Sequence, residues 1–212
     1  MAENCGFCCG ICRICLYSTY NCCCCTKESA PLREFQIICI GITNSGKSTL
    51  LAVLTNENSD TVVPTIGFNI KEIQLPNALL KVKELGGGEN IRSFWSRYYD
   101  NVQGVVFVID GLCTHDQLED TRREIHGAIK HPDLQTLPWM ILCNKQDLEG
   151  ASTHHKVIEV LQLRDVMQAN SNIIVKSCSK INKDSLMADF EAFSDLLLQF
   201  YSNSHNEPGA RV

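Results

Sequence analysis

The sequence predicts an α/β fold: a mostly parallel six-stranded sheet with one antiparallel edge strand and helices on both faces. Three observations carry it. Short apolar, β-rich runs such as "FQIICI", "GVVFVID" and "PWMILCN" read as strands buried on both faces. Segments of helical period separate them, as βαβ crossovers require. One pair, "FNIKEIQL" and "ALLKVKEL", instead alternates and is split by Pro76-Asn77, which reads as an antiparallel hairpin at the sheet edge.

Composition sets the bounds. The 212 residues suffice for one domain with a sizeable core, and 44% hydrophobic with 20% charged residues suits a globular chain. A net charge of -5, with no basic run, gives no footprint for DNA or RNA, so nucleic acid is excluded as a partner. Of the 13 cysteines, nine fall within residues 5–25 and the others, Cys39, Cys113, Cys143 and Cys178, are scattered. That asymmetry divides the chain into a Cys-rich tail (1–30), a folded domain (31–201) and a polar tail (202–212) expected to be disordered. No secretory signal is legible at the start, which implies a reducing compartment and free thiols rather than disulfides.

The elements follow in order. The first strand, Phe35–Ile40, ends at Gly41 and a helix begins near Ser48 with "TLLAVL". The hairpin comes next, then the strand Gly104–Asp110. "THDQLEDTRREIHGAIKH" is a helix with Thr114 and Asp116 as cap candidates and Leu118, Ile125 and Ile129 on one face. Strand 138–144 follows, then "NIIV", then a helix from about Lys183 to Tyr201.

Directly after the first strand, "GITNSGKST" fits G-x-x-x-x-G-K-[ST] from Gly41 to Ser48. Glycines at both ends let the backbone wrap, so the N–H groups of Asn44, Ser45, Gly46 and Lys47 can converge on a polyphosphate at the helix N-terminus. Lys47 reaches the β- and γ-phosphates and Ser48 offers its hydroxyl to magnesium. Thr43 and Thr49 flank these residues and complete the nucleotide-binding set. The bland reading is a glycine-rich strand-to-helix turn.

A second motif, "NKQD", follows the strand 138–144. Asp147 can accept hydrogen bonds from N1–H and the 2-amino group of guanine, an edge adenine lacks, and sites of this kind discriminate by about four to five orders of magnitude. Lys145 lays its stem along the purine and Asn144 ties neighbouring loops together. Alone the tetrapeptide is ordinary turn composition; both motifs sit at carboxyl ends of parallel strands, where open α/β sheets bind ligands. "VKSCSK" contributes Cys178 and Ser179, small residues that let a backbone N–H approach the base.

With these residues in view, the chain resembles the small GTPases, specifically their ADP-ribosylation-factor-like branch, over about residues 34–200. "VPTIGFN" (Val63 to Asn69) looks like that branch's first switch and "IRSFWSRYY" (Ile91 to Tyr99) like its second-switch helix. The resemblance implies the P-loop small GTPase fold, GTP/GDP with Mg2+ as ligands, and Ser48 and Thr65 as the metal-binding hydroxyls. It also makes Gly87 an N–H donor to the γ-phosphate and Gly86 a hinge. The chain departs from the pattern at four places. Gly88 replaces the glutamine that orients the attacking water, so slow hydrolysis is expected and no catalytic residue is assigned. Glu84 replaces an aspartate that supports magnesium through water, Thr43 replaces an aspartate in the cradle, and Lys83 replaces a tryptophan.

The tail suggests membrane attachment. Position 2 is Ala2, which closes N-myristoylation, but Cys8, Cys12 and Cys15 form a stripe beside Phe7, Ile11 and Ile14 at helical spacing. Palmitoylation of these, or of Cys22 to Cys25, gives several acyl chains and stable anchoring. The competing reading is zinc on Cys5-x-x-Cys8 and Cys12-x-x-Cys15. The expected location is the cytoplasmic face of a Golgi, endosomal or plasma membrane, with a cytosolic pool. The partners are guanine nucleotide, effectors at the switch surface, and exchange and GTPase-activating proteins. The leading function is a membrane-associated GTP-binding switch. A nucleotide-binding scaffold that does not cycle, and an ATP-using P-loop enzyme, stand as rivals.

Overall fold

The computed structural model describes residues 32–205, with side chains to residue 203. The acylation and zinc readings of residues 1–30 therefore lie outside the described residues, as does most of the expected polar tail.

Six strands, β1 (Arg33–Ile40), β2 (Phe68–Gln74), β3 (Ala78–Leu85), β4 (Gly104–Asp110), β5 (Trp139–Asn144) and β6 (Ile173–Ser177), form one sheet in the order β2-β3-β1-β4-β5-β6. Only β2 runs antiparallel, pairing Phe68 with Leu85 and Ile70 with Lys83, and the tight connection closes with Leu75 N–H donating to Ala78 O at 2.9 Å. The expected edge hairpin is thus present. Ile37, at the centre, pairs with Val82 on one side and Gly104 on the other.

Because successive strand side chains point to opposite faces, β1 feeds two cores. Phe35, Ile37 and Cys39 join Val106, Val108, Met140 and Leu142 beneath the helices α1 (Lys47–Leu54) and α6 (Lys183–His205), which contribute Leu50, Leu51, Phe190, Phe193 and Leu197. Ile38 and Ile40 join Phe107, Ile109, Trp139 and Ile141 on the other face, covered by α3 (His115–Ile129) through Ile125 and Ile129. Burying each such side chain is worth about 1.5–3 kcal/mol, so central strands without polar interruptions are what the doubly covered sheet demands.

α3 starts where the sequence predicts. Of the two cap candidates the structure uses Thr114: its hydroxyl accepts from Gln117 N–H at 3.4 Å while the Gln117 side chain accepts from Thr114 N–H at 3.0 Å, a reciprocal capping box. α6 runs to His205, beyond the end the pattern suggested at Tyr201. Two short helices, α4 (His154–Val160) and α5 (Arg164–Ala169), occupy a stretch the sequence reading left unassigned; seven and six residues are too few for periodicity to declare itself. The second-switch segment also differs from expectation. Instead of one helix it is a single turn, α2 (Glu89–Arg92), followed by a 3₁₀ turn at Trp95–Tyr98.

The five parallel strands end at Ile40, Leu85, Asp110, Asn144 and Ser177, so the loops that follow them emerge along one edge of the sheet.

Candidate functional site

The loop after β1 carries the first part of the site. Gly46 takes φ +92° and Asn44 φ +63°, both in the left-handed region. A Cβ at Gly46 would also lie 2.2 Å from Asn144 Nδ2, so glycine is needed there for conformation and for space. Ser45 is fully buried, while Thr43 and Asn44 are exposed. α1 begins at Lys47 without a side-chain cap, leaving its first N–H groups directed at the loop.

The Lys47 ammonium donates to Gly41 O at 2.8 Å, Ile42 O at 3.0 Å and Ser45 Oγ at 3.5 Å, which uses all three of its protons. Burial pushes its pKa down, and Cys39 and Glu84 oppose that. The Cys39 thiol is itself driven far up by burial and by Glu84, so it is neutral at pH 7.

Ser48, Thr65 and Glu84 meet beside this loop. Ser48 Oγ donates to Glu84 Oε1, Thr65 Oγ1 donates to the same oxygen at 3.3 Å, and the two hydroxyls are 3.1 Å apart. Glu84 is fully buried, and its Oε2 has no hydrogen-bond partner among the described residues. An orphaned buried carboxylate oxygen next to two hydroxyls is a hard, oxygen-only donor set, and it fits magnesium. No group of three or more His, Cys, Asp or Glu side chains suited to a metal occurs among the described residues, so a soft, zinc-like site is absent from them.

The three glycines after β3 are not equivalent. A Cβ on Gly87 would lie 2.4 Å from Gly41 O and 2.6 Å from Thr43 N, so the absence of a side chain lets this segment pack against the phosphate loop itself. Gly86 N–H donates to Gly67 O at 2.8 Å and Gly86 O accepts from the Trp95 indole at 3.0 Å, tying both switch segments to one residue. Gly88 is different: its φ is -64°, ψ is 147°, and a Cβ would meet nothing closer than an Ile91 side-chain carbon at 3.9 Å. Lys83, where the family pattern has tryptophan, places its ammonium 5.8 Å from the Tyr98 ring centroid.

On the other side of the loop, Asn144 Nδ2 donates to Ser45 O at 2.8 Å and joins the "NKQD" segment to the cradle. Ser179 Oγ donates to Asp147 Oδ1 at 2.6 Å, Gln146 N–H to Cys178 O at 3.2 Å and Cys178 N–H to Cys143 O at 2.9 Å, so the loops after β5 and β6 form one unit. Lys145, at φ +63°, pairs with Asp110 Oδ2 at 2.6 Å.

A cavity of about 540 Å³ opens over the cradle, lined by Thr43, Asn44, Gly46, Lys47, Ser48 and Thr49, by Val62 and the first-switch residues Val63, Pro64, Thr65 and Ile66, and by Glu84 and Gly87–Ile91. It gathers the phosphate- and metal-facing candidates. Asn144, Lys145, Asp147, Cys178 and Ser179 are not among its lining residues; they stand beside it at the same sheet edge, with Asp147 exposed. Asp110 is the residue the sequence reading missed. An acid closing the otherwise apolar β4 is the one local signal; the structure sets it at the register of Asn144.

The ADP-ribosylation factor family pattern matches residues 24–197. ADP-ribosylation factor-like protein 15 of Homo sapiens is 43% identical over 185 residues, covering 86% of this chain and 90% of its own. ADP-ribosylation factor-like protein 2 of Drosophila melanogaster is 31% identical over 159 residues, covering 75% and 85%. Among solved structures, the Arl6 BBS3 small GTPase from Trypanosoma brucei with bound GppNp superposes with a TM-score of 0.70 at 24% identity, covering 78% of this chain and 98% of that one. That likeness shows the fold.

Proposed function

The chain belongs to the ADP-ribosylation factor family, and we propose that it works as a membrane-associated GTP-binding switch: it holds GTP or GDP with Mg2+, recruits effectors through its two switch segments, and hydrolyses GTP slowly by itself. The observation that carries this reading is the Asn144–Ser45 hydrogen bond of 2.8 Å, which fastens a guanine-reading segment to a phosphate cradle.

In this reading the residues of the chain have separate tasks. The loop N–H groups hold the β- and γ-phosphates, the dipole of α1 adds to them, and Lys47 exchanges its contacts with Gly41 O, Ile42 O and Ser45 Oγ for phosphate oxygens when the nucleotide binds. Asp147, oriented by Ser179, accepts from the guanine edge, and Lys145, steadied by Asp110, covers one face of the ring. Ser48 and Thr65 hold the cation, which when bound neutralises charge on the phosphate oxygens. Thr65 and Gly87 are where the γ-phosphate biases the switches, and a switch requires that differential contact. Val63, Ile66, Phe68 and Phe94 are exposed on and beside the switches, an apolar surface available to effectors. Exchange and GTPase-activating proteins are the expected regulators.

The anchoring element in this proposal is the acylated N-terminal cysteine cluster. No helix among the described residues is long and apolar enough to cross a membrane. The expected site of action is the cytoplasmic face of a Golgi, endosomal or plasma membrane, in exchange with a cytosolic pool.

A non-cycling scaffold is the second reading, favoured by Gly88 and by the direct Thr65–Glu84 contact, which closes the first switch through protein groups. The test is a titration of the full chain with labelled GTP and GDP, with and without Mg2+ and against ATP, followed by single-turnover hydrolysis. The switch predicts Mg2+-dependent binding of both guanine nucleotides, rejection of ATP, and partner binding that depends on which is loaded. Identical partner binding in both states would make it a scaffold.

A further inference from the structure

β3 ends in an acidic side chain one methylene longer than the aspartate of the family pattern. Glu84 Oε1 accepts from both Ser48 Oγ and Thr65 Oγ1, the latter at 3.3 Å, and the hydroxyls are 3.1 Å apart, so three oxygens from three separate elements form a small triangle. Magnesium and manganese gather six oxygens octahedrally at about 2.0–2.1 Å, which places neighbouring ligand oxygens roughly 3 Å from one another. The two hydroxyls, and Thr65 Oγ1 with Glu84 Oε1, stand near that spacing, and Ser48 Oγ lies closer still to the carboxylate. The β3 register, with Glu84 opposite Cys39, fixes the backbone from which the side chain reaches. An aspartate there would stop short by about one carbon–carbon bond, roughly 1.5 Å, and a water would fill the gap.

A separate observation points the same way. Glu84 is fully buried, lines the cavity, and leaves Oε2 without a hydrogen-bond partner among the described residues. Leaving a buried carboxylate oxygen unsatisfied is costly, and a cation relieves the cost. Lys47, the ammonium that feels Glu84 electrostatically, has its three protons committed to Gly41 O, Ile42 O and Ser45 Oγ.

We propose that Glu84 is a direct ligand of the divalent cation, beside Ser48 and Thr65, rather than a support acting through water. The proposal rests on the nucleotide-and-cation reading above. With three protein oxygens and one oxygen from each of the β- and γ-phosphates, five of six positions are taken and a single water remains.

Electron paramagnetic resonance of Mn2+ in oxygen-17-enriched water counts the waters on the metal. The sample is the full chain loaded with a non-hydrolysable GTP analogue and Mn2+. One water is expected in the unaltered chain and two in Glu84→Asp; two waters in the unaltered chain overturn the proposal, whether or not the variant folds. Glu84→Gln should lower Mn2+ affinity at least about tenfold, and an unchanged affinity counts against direct ligation. Failure to load any guanine nucleotide, seen before a spectrum is taken, overturns the underlying reading and this inference with it.

Discussion

Asn144 and Ser45, 99 residues apart in sequence, are joined by a 2.8 Å hydrogen bond from the amide of one to the backbone carbonyl of the other. Ser45 is fully buried in the folded chain. Asn144→Ala leaves that carbonyl unsatisfied at a cost of about 1–3 kcal/mol. The expected outcome is a melting temperature lower by roughly 2–10 °C and faster release of labelled GDP in a stopped-flow chase. Unchanged release would mean that the bond does not couple the cradle to the base segment.

The adjacent glycines Gly87 and Gly88 should respond in opposite ways. Gly88→Gln enters open space at an ordinary φ of -64°, so it should stabilise the fold by about 0.4–1 kcal/mol through the unfolded chain and raise single-turnover GTP hydrolysis at least about tenfold. Gly87→Ala drives a methyl into the backbone at Gly41–Thr43 and should cost about 1–3 kcal/mol together with nucleotide affinity. Thermal melts and a hydrolysis time course of the two variants check both statements.

Asp147→Asn changes the hydrogen-bonding pattern offered to a base. The amide keeps one acceptor and adds a donor, which suits the N1–H and 2-oxo edge of xanthine and mismatches the 2-amino group of guanine. GTP affinity should fall at least about 100-fold while XTP binding appears, measured by competition. Loss of GTP affinity with no gain of XTP binding would point to a structural role, because Asp147 also accepts from Ser179 at 2.6 Å.

The buried thiols should be inert and should make the fold alkali-sensitive. Burial pushes Cys143 up to about 12 and holds Cys39 and Cys178 still higher, and burial with the nearby Asp110 pushes Cys113 up to about 11. An unfolded thiol ionises near about 8.5. The folded state therefore keeps protons that the unfolded state loses: the stabilisation is complete below about pH 8.5 and declines as the pH rises toward 11–12. Melting temperatures should drop between about pH 8.5 and 10.5, and peptides bearing Cys39, Cys143 and Cys178 should resist alkylation at pH 8 until denaturant is added.

Much of this arrangement was legible because the signals are local. The apolar runs at Phe35–Ile40 and Gly104–Asp110 admit only buried strands, and the spacing of Gly41, Gly46, Lys47 and Ser48 is dictated by a backbone that wraps an anion. What escaped depends on contacts distant in sequence. Nothing around Asp110 announces its pairing with Lys145, 35 residues on. The contacts of Glu84 are likewise hidden: an extra methylene reads as a perturbation until its reach to Ser48 and Thr65 is seen. The second-switch segment departs from one helix at the stretch where the Trp95 indole donates to Gly86 O, a contact that local periodicity does not encode.

That indole also gives the chain an optical handle. There are two tryptophans; Trp139 is sealed in the sheet with its ring nitrogen on Leu134 O, whereas Trp95 is fastened to the peptide that links the two switches. Its emission should brighten or dim in step with nucleotide exchange while Trp139 supplies a constant background, so the cycle can be followed without attaching a dye.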